Sequence, residues 1–165
     1  MATTSVFATV GTTQFDKFVQ QLTSSEALKI LKRKGYDRLT VQIGNGKFVP
    51  TEGLLEGVHL SCYRFKDSLS KDMAAADLIL SHAGAGSCLE ALEAGKPLLV
   101  VVNEDLMDNH QTELAEQFCK EGFLYYCNCK SLPDTLQNCN FNNLKQYVKG
   151  DPTKFAKYLD ELYKN

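Results

Sequence analysis

Along the chain, apolar runs of strand length alternate with segments whose apolar residues recur every three to four positions. This exchange between two periods predicts an α/β domain, a Rossmann-like parallel sheet with helices on both faces. Residues 5–10, 38–43, 58–62, 78–81, 98–102 and 124–127 read as its strands. Phe15, Phe18, Val19 and Leu22 share one helical face after the first strand, and Leu28 and Leu31 continue a second helix. The step Gly95-Lys96-Pro97 stops one helix and leads into the buried run 98–102.

The pattern changes near residue 130, which divides the chain into a sheet domain, 1–130, and a tail, 131–165. The tail reads as polar turns and two short amphipathic pieces, 141–148 and 152–163. Asp151-Pro152 suits a helix start, and Phe155, Tyr158, Leu159 and Leu162 would form one apolar stripe. That stripe either covers the domain's own sheet or docks on another chain.

Composition narrows the possibilities. The 165 residues are enough for one domain with a proper core, and 44% hydrophobic content, 23% charged residues and a net charge of −2 are ordinary for a globular protein. Lys and Arg are scattered, so no nucleic-acid footprint is expected. The amino terminus has no basic leader, and no apolar run approaches the roughly 18 residues of a membrane span, so a cytosolic chain is expected. Cys62, Cys88, Cys119, Cys127, Cys129 and Cys139 then read as free thiols. Cys127 and Cys129 are one residue apart with no histidine following, which does not suit zinc, and no metal or other cofactor is expected.

In an open parallel sheet, ligands bind beyond the carboxyl ends of the strands. Three expected strands end in glycine-rich segments, Gly11-Thr12-Thr13, Gly44-Asn45-Gly46 and His82-Ala83-Gly84-Ala85-Gly86-Ser87. In the third, Gly84 and Gly86 allow close backbone approach and Ser87 opens a helix through Leu89 and Leu92. Free N–H groups and the positive helix end there suit a phosphate, at about 0.3–1 kcal/mol per exposed charge. His82 stands beside this site, either facing the ligand or satisfied by a neighbouring carbonyl. Glu90 lies a turn further on, where a carboxylate could accept hydrogen bonds from a sugar diol or simply face solvent.

His82, Gly84, Ser87 and Glu90 reproduce the His-x-Gly-x-x-Ser-x-x-Glu signature of UDP-sugar transferases built from two facing Rossmann-like halves, the GT-B type. Ala94-Gly95-Lys96-Pro97 and Asn109-His110-Gln111 resemble that family's later Ala-Gly-x-Pro turn and sugar-contacting Gln. From Phe7 to about Cys127 the chain resembles the soluble donor-binding subunits of eukaryotic UDP-GlcNAc transferases that extend GlcNAc-diphosphodolichol. It is similar also to the carboxyl-terminal half of the bacterial lipid II transferases.

The resemblance implies that Gly11, Thr12 and Thr13 border the sugar-diphosphate, and that His82, Gly84, Ala85, Gly86 and Ser87 hold the diphosphate. It further implies uracil against the backbone near Phe65 and Lys66, the ribose on Glu90, and the GlcNAc hydroxyls on His110 and Gln111. Leu114 departs from the pattern, standing where the family often has Asn. The implied reaction is an inverting transfer without a metal, and no Asp-x-Asp pair calls for one. The acceptor site and general base would lie on a membrane-anchored partner that recruits this chain to the cytosolic face of the endoplasmic reticulum. A UDP-sugar-binding regulator without transfer chemistry would use the same loops. A nicotinamide oxidoreductase is disfavoured, because no Gly-x-Gly-x-x-Gly follows the first expected strand and no acid ends the second.

Overall fold

A computed structural model describes the backbone of residues 4–104 and 109–147, and the side chains of all of these except 109–111. The elements run β1 (Ser5–Thr9), α1 (Asp16–Leu22), α2 (Ser25–Arg33), β2 (Arg38–Gln42), β3 (Gly53–Leu55), β4 (Val58–Tyr63), α3 (Ser70–Ala75), β5 (Leu78–His82), α4 (Ala85–Glu93), β6 (Leu98–Val102), α5 (Asn109–Lys120), β7 (Tyr125–Asn128) and α6 (Leu132–Asn138). The strands form one sheet in the order β3-β4-β2-β1-β5-β6-β7. β1 lies at its centre, parallel to β2 on one side and to β5 on the other.

Strand alternation sends side chains to two separate cores. Val6, Ala8 and Val10 enter the first with Leu22, Leu28 and Leu31 of α1 and α2. Phe7 enters the second with Met73 of α3, Leu92 of α4 and Phe118 of α5. Strands buried on both faces must be apolar throughout, which is why 98–102 is an unbroken Leu and Val run. Each fully buried Leu or Phe contributes roughly 1.5–3 kcal/mol of hydrophobic stabilisation. α2 starts where Ser24 Oγ accepts the Ala27 N–H at 3.2 Å, and its apolar stripe then turns to the sheet.

The helix-covered parallel sheet is the expected one, with two differences. β3 is an added edge strand, antiparallel to β4, so the sheet is mixed. It escapes a periodicity reading because it has three residues and Leu54 is exposed. The second difference lies in the tail. Residues read as polar turns form α6, whose Leu132 and Leu136 are fully buried beside α2. The amphipathic piece expected over 141–148 is instead a single 3-10 turn, Phe141–Asn143, with no helix over 144–147. Phe141 packs on Tyr125, while Tyr147 meets Phe118 and Phe123 edge to face, so this part of the tail closes both sheet faces. The expected helix 152–163 lies outside the described residues.

Candidate functional site

The topology gathers the loops after β1, β2, β4 and β5 at one sheet edge, because these four strands are adjacent and parallel. The Gly11 and Gly84 segments meet across the His82 imidazole. A Cβ on Gly84 would stand 2.3 Å from His82 Cε1, and one on Gly11 would stand 2.7 Å from Nε2. Real side chains do not approach so closely, so glycine at both places is what lets the ring lie between the two loops. His82 Nε2 faces Ser87 Oγ at 3.3 Å. The alternative in which a carbonyl satisfies this ring is not what the structure shows. Burial lowers the His82 pKa below its ordinary 6.5, which favours the neutral imidazole.

Beside the ring, α4 begins at Gly84, and Cys88 N–H makes the first helical bond, to Gly84 O at 3.0 Å. The amides of Ala85, Gly86 and Ser87 therefore precede the helical ladder, and the positive end of the helix lies with them. Gly86 is exposed and Ser87 half-buried, so this end is open to solvent. Cys88 points inward, with Sγ 3.6 Å from His82 O, and burial pushes its thiol up to about 12. It is an inert packing group.

The loop after β2 braces the first loop. Asn45 donates from Nδ2 to Thr12 O at 2.7 Å and from its backbone N–H to Thr13 O at 3.1 Å. Arg64, just past β4, donates to Gly44 O and Gly46 O at 3.1 and 2.7 Å. Asp16 accepts the Lys47 and Phe48 N–H groups at 3.0 and 3.1 Å. These contacts leave Thr12 and Thr13 exposed on a fixed backbone.

Phe65, just past β4, is 52% exposed. Lys66 pairs with Asp72 at 3.1 Å and lies 4.3 Å from the Tyr63 ring centroid, which ties this segment to α3. Glu90 is exposed on α4, the helix that starts at the His82 loop. His110 and Gln111 fall in the first turn of α5, and their side chains lie outside the described residues. Leu114, one turn on, is 4% exposed and packs in the second core, which explains an apolar residue there. The Ala94–Pro97 turn sits at the opposite sheet edge, since Pro97 precedes β6.

Residues 5–162 match the glycosyltransferase family 28 C-terminal domain. The chain belongs to that family. Among curated relatives of this family 28 domain, UDP-N-acetylglucosamine transferase subunit ALG13 of Mus musculus is 55% identical over 126 residues, and that of Homo sapiens 54% over 127. These alignments take in 76% and 77% of this chain but only 11% of each relative, so the chain spans about that small share of their length. A solution structure of ALG13 superposes with a TM-score of 0.75 at 26% identity, covering 98% of both chains. MurG of Acinetobacter baumannii superposes with a TM-score of 0.62 at 19% identity, over 97% of this chain and 46% of that enzyme. The family 28 domain thus has the fold of one half of a GT-B glycosyltransferase.

Sequence reasoning missed two participants at this edge, Gln42 and Arg64, and had Asn45 only as part of the Gly44-Asn45-Gly46 segment; all three hold the loops in place. Gln42 gave no distinct signal, since it follows Arg38 and Thr40 at alternate positions of a strand whose other positions are apolar. Arg64 gave none either, since a surface cation looks the same wherever it occurs, while Asn45 was marked by its Gly-Asn-Gly segment but not as a brace for the Gly11 loop.

Proposed function

We propose that this chain is the donor-binding subunit of a two-chain inverting transferase that moves GlcNAc from UDP-GlcNAc to GlcNAc-diphosphodolichol, the second sugar of the asparagine-linked glycan precursor. The carrying observation is the convergence of the Gly11 loop, His82 and the open α4 amino terminus at one sheet edge. Family membership and the transferase subunits of mouse and human that the chain resembles support the sugar and the nucleotide.

In this reading the diphosphate lies on the amides of Ala85, Gly86 and Ser87, bordered by Gly11, Thr12 and Thr13, with His82 alongside. The uracil stacks near Phe65 and meets the backbone at Lys66, and Glu90 accepts the ribose hydroxyls. His110 and Gln111 face the GlcNAc. The acceptor 4-hydroxyl attacks the anomeric carbon, the bond from that carbon to the diphosphate oxygen breaks, and UDP leaves with the bonding pair. The hydroxyl proton passes to a base on the partner. Helix-end amides positioned on the leaving diphosphate stabilise its developing charge, so this half needs no metal.

The partner is a membrane-anchored, acceptor-binding subunit, and it brings this chain to the cytosolic face of the endoplasmic reticulum. No helix among the described residues is long and apolar enough to cross a membrane, which fits a recruited subunit. A UDP-sugar-binding regulator would bind the donor equally well and differ only in giving no turnover with any partner.

Titration of isotope-labelled chain with UDP-GlcNAc tests donor binding directly. Shifted amide resonances should cluster at 11–13, 64–66 and 82–90. Shifts confined to other surfaces, or none at millimolar donor with a partner present, would overturn the reading.

A further inference from the structure

Three polar side chains are almost fully buried among the described residues, Thr9 at 0%, Gln42 at 1% and Ser81 at 0% exposure. They form a row. The register sets Thr9 opposite Gln42 on one side and opposite Ser81 on the other, at the carboxyl ends of β1, β2 and β5. Alternation puts all three on the sheet face that carries Phe7 and Ile79, directly beneath the candidate site.

Buried polar groups of this kind are retained only when fully paired. Gln42 meets that condition by reaching into two loops at once. Its Oε1 accepts from Thr9 Oγ1, from Val10 N–H at 3.2 Å and from Gly11 N–H at 3.0 Å. Its Nε2 donates to Gly11 O and to Arg64 O, each at 2.7 Å. Both N–H donors are thereby used, one on each loop. Thr9 Oγ1 also accepts the Gly11 N–H at 3.1 Å, and Ser81 Oγ donates to His82 O at 2.8 Å. One amide thus joins the loop that leads to Thr12 to the segment that leads to Phe65 and Lys66. A plain structural need would be met by an apolar residue here, as at Val100, which continues the same row on β6 opposite Ser81.

We propose that Gln42 is a positioning residue that sets the spacing between the Gly11 loop and the 64–66 segment, and so gives the site its preference for a complete nucleoside diphosphate over either half alone. This rests on the donor site proposed above, in which the two segments hold opposite ends of UDP. Neither loop has a long element of its own to fix it, and a ligand that spans both is bound tightly only if their separation is correct beforehand.

The test compares wild type with Gln42→Glu, which keeps the shape but turns the two donors into acceptors facing carbonyl oxygens. Three ligands are titrated separately: UDP, uridine and inorganic pyrophosphate. UDP affinity should fall about tenfold, the effect of unpairing buried polar groups, while uridine and pyrophosphate each lose less than about threefold, because neither needs both loops. Amide resonances of Gly11 and of 64–66 should move together, with those of β6 unmoved. Equal losses for all three ligands, or resonance changes confined to β2, would overturn the proposal. Thr9→Val removes one arm of the same network with little change of shape, and decides the matter by the same resonances if Gln42→Glu does not fold. Wild type that binds no UDP would defeat the donor reading, and the resonances would still decide whether Gln42 joins the loops.

Discussion

Two glycines at opposite edges of the sheet, Gly84 and Gly35, are there for different reasons. At the carboxyl edge Gly84 has an ordinary φ of −70°, yet a Cβ there would strike His82. At the amino edge Gly35 has a φ of +97° and open space where a Cβ would go. Gly35 serves the turn from α2 into β2, a local matter of backbone conformation. Gly84 serves the close approach of its own loop to the His82 ring, which the distant Gly11 segment meets from the other side. Gly11 meets both requirements, since its φ is +65° and a Cβ there would strike the same ring.

The sharpest way to break this comparison is Gly84→Ala. It should displace His82, cost about 1–3 kcal/mol of stability as an overpacked contact, and reduce UDP binding below detection. Unchanged UDP affinity in calorimetry would mean that the His82 contact is packing alone. Next in size is Glu90→Ala, which should cost about 1–3 kcal/mol of UDP binding by leaving ribose hydroxyls without their acceptor, while thermal stability stays as it was. Wild-type affinity in that variant would remove Glu90 from the ribose. Gly35→Ala should do the reverse, losing roughly 1–2 kcal/mol of stability through left-handed strain and leaving UDP affinity intact. A matching loss of affinity there would show that the two edges are not independent.

The smallest effect concerns pH. Burial holds the folded-state pKa of His82 below the ordinary 6.5, so its neutral form is the one favoured by folding. That contribution is complete above 6.5 and is lost as pH falls through the lower folded value. Urea midpoints should therefore decline on acidification more steeply in wild type than in His82→Gln. Parallel curves would show that His82 is not selectively neutral in the fold.

The same contrast explains what the sequence could and could not disclose. Of the six parallel strands, β1, β5 and β6 were legible as mainly apolar runs buried on both faces, with Leu98–Val102 the plainest case, and β2 and β4 through apolar residues alternating with polar ones. β3 was not, since a three-residue edge strand with exposed Leu54 carries no period. α6 was hidden behind Pro133, Asp134 and Asn138, residues typical of turns, although Pro133 is placed to start the helix. At the candidate site, Gly84 and Ser87 stood out by spacing, and His82 with them. The bracing by Gln42, Asn45 and Arg64 arises from pairs 18 to 33 residues apart, which no local pattern encodes.

The central claim is that this chain is one half of a transferase. GlcNAc transfer from UDP-GlcNAc to a GlcNAc-diphosphate lipid should be measured with the chain alone, with a membrane fraction lacking its own copy, and with both together. Transfer should occur only in the mixture. No transfer in the mixture, where the same fraction works with a known active subunit, would contradict the account and leave a nucleotide-sugar-binding regulator in its place.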